Sequence, residues 1–486
     1  MTSLRAPFRD RAAFAPRPEY RLLPFRFIRL DDRRVVATNE VGEHIVIDRA
    51  QLAAVVRHEL AVSGTLYREL KAKHFLFDDE SRAALDLLAI KYRTRAAPIA
   101  ELTGLHIFVV TLRCDHSCHY CQVSRQTADK TQFDMTRTHA DRALSIAFDS
   151  PSAAIKIEFQ GGEPLLNFEL IKYIVEAAEH RNADHQRRLQ FVIASNLSHV
   201  NDDVLAFAKA HGIYFSTSLD GPEDLHNHNR PLRGGDSHRA ALAGIARIRA
   251  ALGPDHVSAL MTTTPASLAR VTDIIDEYVR LGFPSIFLRS LSPYGFAIKT
   301  RLVRGYDVAD WIAFYQRGLD HILALNRRGV RIREELTSII LQKMLSPSGA
   351  AYVDLQSPAG VGIGALVYNY NGRIYGSDEG RMLAEMGDDS LYLGNLDDQS
   401  FASVIANDGL VGLLEASLPE SAPMCSDCAF VPWCGADPAF HQATQNDVVG
   451  HKALSAFCAK QMAVTKHIVR LLEDDVDARR ILLSWT

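Results

Sequence analysis

The sequence predicts an α/β fold, because short apolar runs alternate with amphipathic stretches six times from His106 onward. The strand-like runs are residues 107–112, 155–159, 189–194, 214–219, 257–262 and 286–289. The helix-like stretches between them include residues 137–148, 168–180, 202–211, 238–252 and 268–282. A repeated strand–helix unit predicts a parallel sheet with right-handed crossovers, whose functional residues lie where the strands end.

Reactive or polar residues do follow these strand-like runs. Cys114 follows the first, Gly161 to Pro164 the second, Ser195 and Asn196 the third and Asp220 the fourth, and Arg289 ends the sixth. Because the carboxyl ends of parallel strands meet at one edge, we expect these residues to surround a single site.

Length and composition indicate a large soluble enzyme. The 486 residues are 47% hydrophobic and 23% charged, which suits about three domains, and the net charge of −4 gives no support for a nucleic-acid partner. Residues 1–17 lack a continuous apolar segment, and no stretch is long enough to span a bilayer. We therefore expect a cytoplasmic protein with no membrane partner.

All seven cysteines fall into two groups. The first, Cys114, Cys118 and Cys121, forms a C-x3-C-x2-C loop directly after the first strand-like run. Three thiolates are one short of a closed site, so a four-iron cluster held by them keeps one iron open to an outside ligand. A chance loop of reduced cysteines or a small zinc site is the alternative.

A second motif, Gly161-Gly162-Glu163-Pro164, follows the next strand-like run. Taken together with the cysteine spacing, it resembles the radical SAM superfamily. The resemblance implies a partial (β/α)6 TIM-like barrel, with a four-iron, four-sulfur (4Fe-4S) cluster whose open iron binds S-adenosylmethionine. In that family the glycine-rich segment grips the methionine amino group. Alone, the four residues are also ordinary turn chemistry.

Further polar residues resemble the family's cofactor contacts. Ser195 and Asn196 match a small polar segment near the ribose, and Tyr120 matches an aromatic position near adenine. Ser218, Asp220, His226 and Arg230 match a segment that approaches the sugar or the methionine carboxylate, for which an arginine fork is suited. The alternatives are a helix cap or turn for Ser195 and Asn196, a solvated Asp-Gly-Pro turn for Asp220, and plain packing for Tyr120.

The second cysteine group comprises Cys425, Cys428, Cys434 and Cys458. It resembles the auxiliary-cluster (SPASM) extension of radical SAM peptide maturases, which uses seven cysteines for two further clusters. Here Ser377 and Pro438 replace two of those cysteines, and residues 356–362 contain none. The three absences belong to one cluster of the family, so the resemblance implies a single auxiliary 4Fe-4S cluster on the four retained cysteines. A four-cysteine zinc site is the alternative.

Asp378 follows the serine that replaces a family cysteine. In sulfatase-maturing relatives an aspartate at this place accepts a proton from the substrate, so Asp378 is the candidate catalytic residue and the loss of a cluster is expected to leave room beside it. The alternative is a simple turn residue. Arg381 is its candidate partner, or a clamp for the substrate.

Before the barrel, strand-like residues 34–38 and 44–47 flank a turn, and helical patterns follow at 49–60 and 65–73. This arrangement resembles the winged-helix peptide-recognition element of peptide maturases, which offers a strand edge to a leader peptide. A structural cap on the barrel is the alternative. The predicted organisation is a flexible arm (1–19), this module (20–100), the radical SAM core (105–330), a bridging segment (331–420), and an auxiliary-cluster domain with a C-terminal helix (421–486).

The whole arrangement resembles the B-type radical SAM maturases of His-Xaa-Ser repeat peptide systems. The resemblance implies a peptide-modifying enzyme acting on a ribosomally made peptide or small protein, with a flavodoxin- or ferredoxin-like electron donor and a possible second radical SAM protein. The alternatives are a radical SAM enzyme acting on a small molecule or a folded protein, as in sulfatase maturation, and a non-catalytic peptide-binding partner.

Overall fold

The computed structural model describes residues 20–78, 83–346 and 355–486. The expected flexible arm, residues 1–19, lies outside the described residues. The part before the barrel, here called the N-terminal module, contains strands β1 to β5 and helices α1 to α3. In chain order these are β1 (Arg21–Leu22), β2 (Phe25–Arg29), β3 (Arg34–Asn39), β4 (His44–Asp48), α1 (Arg49–Val56), α2 (Thr65–Ala72), β5 (Leu76–Phe77) and α3 (Ala83–Ala100).

The central part alternates strands and helices. Its elements are β6 (Leu105–Thr111), α4 (Lys130–Phe133), α5 (Arg137–Asp149), β7 (Ala154–Gly161), α6 (Phe168–His185), β8 (Arg188–Ala194), α7 (Asp202–His211), β9 (Tyr214–Ser218), α8 (Glu223–Asn229), α9 (Ser237–Leu252), β10 (Val257–Thr262), α10 (Val271–Arg280), β11 (Ser285–Ile286), β12 (Leu288–Arg289), α11 (Phe296–Lys299), α12 (Val308–Arg327), β13 (Arg333–Glu334) and α13 (Glu335–Leu345).

The C-terminal part adds three strands and six helices to the described chain. They are β14 (Ala365–Tyr368), β15 (Arg373–Tyr375), α14 (Asp378–Ala384), β16 (Tyr392–Asn395), α15 (Phe401–Ile405), α16 (Asp408–Ala416), α17 (Pro438–Gln445), α18 (Ala456–Asp474) and α19 (Val476–Leu483).

The main sheet has nine strands in the order β12-β10-β9-β8-β7-β6-β14-β15-β16. The strands from β6 to β12 pair in parallel, which confirms the predicted parallel α/β sheet and its crossovers. The sixth strand-like run was predicted as one strand, and this was wrong. It divides into β12, which joins the main sheet, and β11, which pairs with β13. The buried Glu334 on β13 accepts a hydrogen bond from the Leu288 amide and so holds the two short strands together.

The C-terminal part extends the barrel sheet directly. Strand β14 pairs in parallel with β6, and β15 and β16 then pair antiparallel. Nδ1 of the buried His106 on β6 lies 2.9 Å from the hydroxyl oxygen of Tyr368 on β14. This contact fixes the register between the barrel and the strand pair that leads into α14.

Local capping explains where several helices begin and end. Asn201 accepts a hydrogen bond from the Val204 amide at the start of α7, and Gly212 adopts a left-handed conformation (φ +62°) at its end. Asp307, just before the first residue of α12, caps that helix by accepting a hydrogen bond from the Asp310 amide. The buried faces of the barrel helices and the sheet form one continuous hydrophobic core.

The N-terminal module has its own small core around Tyr20, Val35 and Leu76. The predicted hairpin is confirmed as β3 and β4, and both predicted helices are present as α1 and α2. The sequence analysis missed β2, which makes the sheet three-stranded, and the long helix α3.

Residues 425–434, here called the C-terminal cysteine loop, pack against this small sheet. Arg26 and Thr38 donate hydrogen bonds to the carbonyl oxygens of Ser426 and Ala429. Within residues 20–78, 83–346 and 355–486, no helix is both long and apolar enough to cross a membrane.

Candidate active site

A cavity of about 720 Å³ runs along the inside of the barrel, from residues at the start of the strands, such as Leu105, to residues at their carboxyl ends, such as Ser218. The cavity is lined by Cys114, Cys118 and Cys121. Residues 114–121 are here called the barrel cysteine loop. All three thiols are free and partly buried. Burial raises the pKa of Cys118 to about 11 and raises the pKa of Cys114 further, so a bound cation is needed to favour their thiolate forms.

Buried polar contacts hold the start of this loop. Arg113 forms a paired interaction with Asp134, at 2.7 and 2.8 Å, and also donates to the carbonyl oxygen of Leu166. Further along, the Ser117 amide donates to the Pro231 carbonyl oxygen over 2.8 Å. The loop is therefore attached to both the second and the fourth strand–helix units.

Gly161 and Gly162 also line the cavity, next to the backbone that leads into the barrel cysteine loop. A Cβ on Gly161 would lie 1.9 Å from the carbonyl oxygen of Thr111, and one on Gly162 would lie 2.4 Å from that of Arg113. Neither position has space for a side chain. The glycine pair therefore allows the end of β7 to lie against the backbone that leads into the cysteines.

Glu163 is fully buried and lies outside the cavity lining. Its carboxylate accepts hydrogen bonds from the Ser195 hydroxyl (2.8 Å) and from the Asn196 and Leu165 amides (2.8 and 3.0 Å). Pro164, also buried, begins a short 3-10 helix that Glu163 caps. These contacts of Glu163 join the ends of β7 and β8. Its contact with the methionine amino group of a ligand stays a prediction.

Ser195 and Asn196 both line the cavity at the end of β8. Beside them lies Asp115, a residue that the sequence analysis did not single out. Its carboxylate accepts hydrogen bonds from the Asn196 side chain (2.8 Å) and the Ser198 hydroxyl (2.7 Å), and it lies 2.8 Å from Nδ1 of His116. Asp115 thus connects the barrel cysteine loop to the third strand end.

Burial opposes ionisation of Asp115, but hydrogen bonds from His116, His199 and Ser198 hold its pKa well below the usual range. Cys114, Asp115 and His116 are also the one group in the described chain whose possible ligand atoms all lie within 4.8 Å of one another. No sequence signal distinguishes an aspartate in this role from any other loop aspartate.

Tyr120, Asp220 and Arg230 contact one another, and the cofactor contacts predicted for them stay predictions. The Tyr120 hydroxyl donates to the Asp220 carboxylate (2.7 and 2.9 Å), and Arg230 Nε donates to the same carboxylate over 3.2 Å. The guanidinium also lies over the Tyr120 ring, 5.1 Å from its centroid. Tyr120, Arg230 and Ser218 line the cavity, whereas Asp220 is fully buried behind them.

His226 is buried and does not line the cavity. Its Nδ1 accepts a hydrogen bond from the Asp220 amide, and its Nε2 lies 3.0 Å from the Ser237 hydroxyl. Burial holds its pKa well below the ordinary value, so this imidazole is neutral. It supports the loop that carries Asp220.

Asp378 also lines the cavity, as the first residue of α14. Ser377 caps this helix by accepting a hydrogen bond from the Gly380 amide over 3.1 Å. Arg381 pairs with Asp378 through an Nε to Oδ1 contact of 2.8 Å. Since Arg381 is fully buried, it is the partner of Asp378 and not a clamp for a substrate.

Two glycine-containing segments pack against each other beside Ser377. The Gly362 amide donates to the Gly376 carbonyl oxygen over 2.9 Å, and a Cβ on Gly376 would lie 2.4 Å from the Val361 side chain. The glycines of these two segments therefore allow their backbones to pack against each other, and Asp378 beside them lines the cavity.

The four C-terminal cysteines are free and partly buried. Burial raises the pKa of each thiol, to about 11 for Cys434, and neighbouring cysteines of the same group raise each pKa further. Cys428 and Cys434 are held by turns within the loop, and Cys458 lies in the first turn of α18. The four predicted cysteines are thus close enough for their charges to interact.

Comparison with known proteins gives this site a family context. Residues 108–278 match the model of the radical SAM superfamily. The chain is 27% identical to an uncharacterised protein of Methanocaldococcus jannaschii over 188 residues, which cover 38% of this chain and 62% of that protein. It is 27% identical to a serine-type anaerobic sulfatase-maturating enzyme of Klebsiella aerogenes over 202 residues, which cover 40% and 47%. The chain thus spans less than two thirds of the length of these relatives.

Solved structures show the same fold. The structure of anSMEcpe with bound AdoMet has a TM-score of 0.63 and 16% identity, covering 78% of this chain and 99% of that one. The structure of Streptococcus suis SuiB bound to the precursor peptide SuiA has a TM-score of 0.54 and 15% identity, covering 89% and 98%. Together with the match over the cysteine loop and the barrel strands, these findings show that the chain contains a radical SAM domain at residues 108–278.

Proposed function

We propose that this protein is a radical SAM enzyme that modifies a ribosomally made peptide or small protein. The observation that carries the proposal is the cavity itself, because three partly buried thiols, a glycine pair and the polar ends of several strands line one space of about 720 Å³. The similarity to one sulfatase-maturating enzyme and to a solved structure with a bound precursor peptide supports it.

The residues present fit a 4Fe-4S cluster with S-adenosylmethionine. Among the described residues, no three sulfur atoms of either cysteine group all lie within 4.8 Å of one another. In a tetrahedral zinc site, by contrast, the sulfur atoms lie about 3.8 Å apart. A cluster spreads its ligands over several irons, so wider spacing suits it. When bound, the reduced cluster and S-adenosylmethionine supply a 5′-deoxyadenosyl radical that takes a hydrogen atom from the substrate.

The chain's own residues orient that chemistry. Arg230 presents a guanidinium to the cavity and is held by Asp220, which suits recognition of the methionine carboxylate. The partly buried Asn196 and Ser218 offer hydrogen bonds for the ribose, and Tyr120 offers a ring for adenine. Asp378, which also lines the cavity, would accept a proton or a hydrogen bond from the substrate.

The C-terminal cysteines would hold one auxiliary 4Fe-4S cluster. The four thiolates repel one another when ionised, and a bound cationic centre offsets the free-energy cost of that repulsion. Their spacing favours a cluster over zinc for the reason given above. An electron from a flavodoxin- or ferredoxin-like donor in a reducing compartment would serve both centres.

The N-terminal module would recognise the leader part of the substrate. Strands β2 and β4 each pair on one side only within the described residues, which leaves backbone groups for an added strand. Phe27 on β2 is 52% exposed and offers an apolar contact beside that edge. The resemblance of the sequence to B-type maturases of His-Xaa-Ser repeat systems implies a partner radical SAM protein.

A second candidate is maturation of a folded protein, as in sulfatases. The similarity to the Klebsiella enzyme and the position of Asp378 favour it. Deleting the module cannot separate the two functions, because the module packs against the C-terminal cysteine loop. A Phe27→Pro substitution on β2 removes an amide that faces away from β3 and so blocks strand addition at the free edge. It should abolish leader-dependent turnover but spare turnover of a folded substrate.

The proposal is tested by anaerobic reconstitution with iron and sulfide, reduction with dithionite and an assay for 5′-deoxyadenosine formed from S-adenosylmethionine. We expect deoxyadenosine from the wild type and none from Cys118→Ala. A fully loaded wild type that forms no deoxyadenosine, with or without candidate peptides encoded next to its gene, would contradict the proposal and favour a non-catalytic binding partner.

A further inference from the structure

Arg381 is a fully buried arginine one helical turn after Asp378 on α14. Its Nε donates a hydrogen bond to Oδ1 of Asp378. Its Nη1 donates to the carbonyl oxygen of Val123, 3.4 Å away and two residues after Cys121. The guanidinium therefore joins the carboxylate on one cavity wall to the segment that follows the last barrel cysteine.

The third guanidinium nitrogen, Nη2, is buried without a hydrogen-bond partner in the described part of the chain. Burying a charge with an unused donor costs free energy, and an apolar side chain of similar size often packs at least as stably. Stability alone is thus a poor explanation for an arginine at this position.

The electrostatic surroundings of Arg381 are unusual. Burial acts to lower its pKa, but Asp378, Glu385 and the nearby Cys121 raise it overall, so the side chain stays charged. Tyr370 and Tyr375 also face it, and burial raises the pKa of Tyr370 to about 12, so both are neutral. A positive charge therefore lies next to the Asp378 carboxylate and close enough to Cys121 to interact with its thiol.

Because Arg381 has no exposed surface, it acts only through its neighbours. We propose that Arg381 is a positioning residue that holds Asp378 at the cavity wall and places its charge beside Cys121, where it raises the reduction potential of the bound cluster. A nearby cation stabilises the reduced, more negative state of a cluster, and the low dielectric of the interior strengthens this effect. The inference rests on the proposed function, since it requires a cluster on the barrel cysteines.

The test is an anaerobic redox titration of the reconstituted full chain, followed by electron paramagnetic resonance. The signal of interest is the one that changes when S-adenosylmethionine is added, because that ligand binds only the open cluster. Arg381→Gln removes the positive charge and should lower the midpoint potential. Asp378→Asn removes the paired negative charge and should raise it, and Arg381→Lys should stay close to the wild type.

Asp477 and Arg480 on α19 provide a matched control, since they form an ion pair with the same spacing on the protein surface. Arg480→Gln should leave the potential unchanged. Iron and sulfide counts show whether each variant is equally loaded. If Arg381→Gln does not load, Asp378→Asn and Arg381→Lys still decide the question, because damage to the fold does not produce a shift of the opposite sign.

Equal potentials in the loaded wild type and Arg381→Gln, or no upward shift in Asp378→Asn, would overturn the inference but leave the proposed function intact. A wild type without any signal that responds to S-adenosylmethionine would instead remove the proposed function itself.

Discussion

The indole Nε1 of Trp433 donates a hydrogen bond to the carbonyl oxygen of Gly42 over 3.1 Å, although 391 residues separate them. Trp433 lies one residue before Cys434, and Gly42 lies in the turn between β3 and β4. The His44 ring also packs edge-on against the indole, with centroids 5.0 Å apart. The C-terminal cysteine loop is thus a docking surface for the N-terminal module.

Replacing Trp433 with phenylalanine should loosen this junction. The substitution keeps an aromatic ring but leaves the Gly42 carbonyl without its donor, at a cost of about 1–3 kcal/mol. Hydrogen exchange at residues 39–48 should accelerate while exchange in the barrel strands stays the same. Phe27→Tyr, on the exposed part of β2, is a suitable control. Unchanged protection at the turn would show that the indole bond contributes nothing to docking.

Substituting alanine at Gly162 should disrupt the barrel cysteine loop. The added Cβ would meet the carbonyl oxygens of Arg113 and Leu112 at 2.4 and 2.5 Å, both backbone atoms just before Cys114. We expect loss of S-adenosylmethionine binding by at least about tenfold, measured by equilibrium binding to the reconstituted protein, since backbone shifts of this size cost more than about 1.4 kcal/mol.

The matched control is Gly412→Ala. Gly412 lies within α16, and an added Cβ there meets nothing within 4 Å. The substitution should stabilise the protein by about 0.5–1 kcal/mol and leave binding intact. Normal affinity in Gly162→Ala would mean that the loop tolerates the clash and that the glycine pair does not determine its shape.

The iron content should report two independent clusters. The wild type is expected to hold about eight irons, falling to about four when Cys425, Cys428 and Cys434 are changed to alanine. The variant should keep the signal that responds to S-adenosylmethionine. About four irons with bound zinc in the wild type would identify the C-terminal site as structural zinc.

Acid should destabilise the junction between β6 and β14 through His106. Burial lowers the pKa of this imidazole to about 3, from its ordinary 6.5. Since the unfolded chain binds the proton more readily, the stability present above pH 6.5 is lost progressively as the pH falls toward 3. Thermal unfolding of His106→Gln, compared with the wild type at pH 7.5 and 5.5, should show a smaller loss at the lower pH.

The reduction in acid sensitivity should be partial, because burial also lowers the pKa of His44 and His441 to about 4. An exposed histidine, His180 on α6, gives the control substitution. Identical pH dependence in the wild type and His106→Gln would contradict the assignment of a buried neutral imidazole at this position.

Local sequence patterns predicted most of the barrel and the positions of its reactive residues. Strand periodicity, the C-x3-C-x2-C spacing and the glycine pair depend on neighbours within a few residues, so they are readable without the fold. The sixth strand was misread as continuous, because Glu334, 46 residues away from Leu288, determines how that run divides.

The tertiary structure decided what each polar residue contacts. Glu163 bonds to the end of β8 and Asp115 joins two strand ends, because burial requires each carboxylate to find donors wherever the packed chain supplies them. Arg381 and Val123 lie 258 residues apart, and Trp433 and Gly42 lie 391 apart. Such contacts depend on the packing of whole elements, and no short sequence pattern encodes them. The sequence by itself therefore determined the chemistry available to this protein, and the fold determined how that chemistry is arranged.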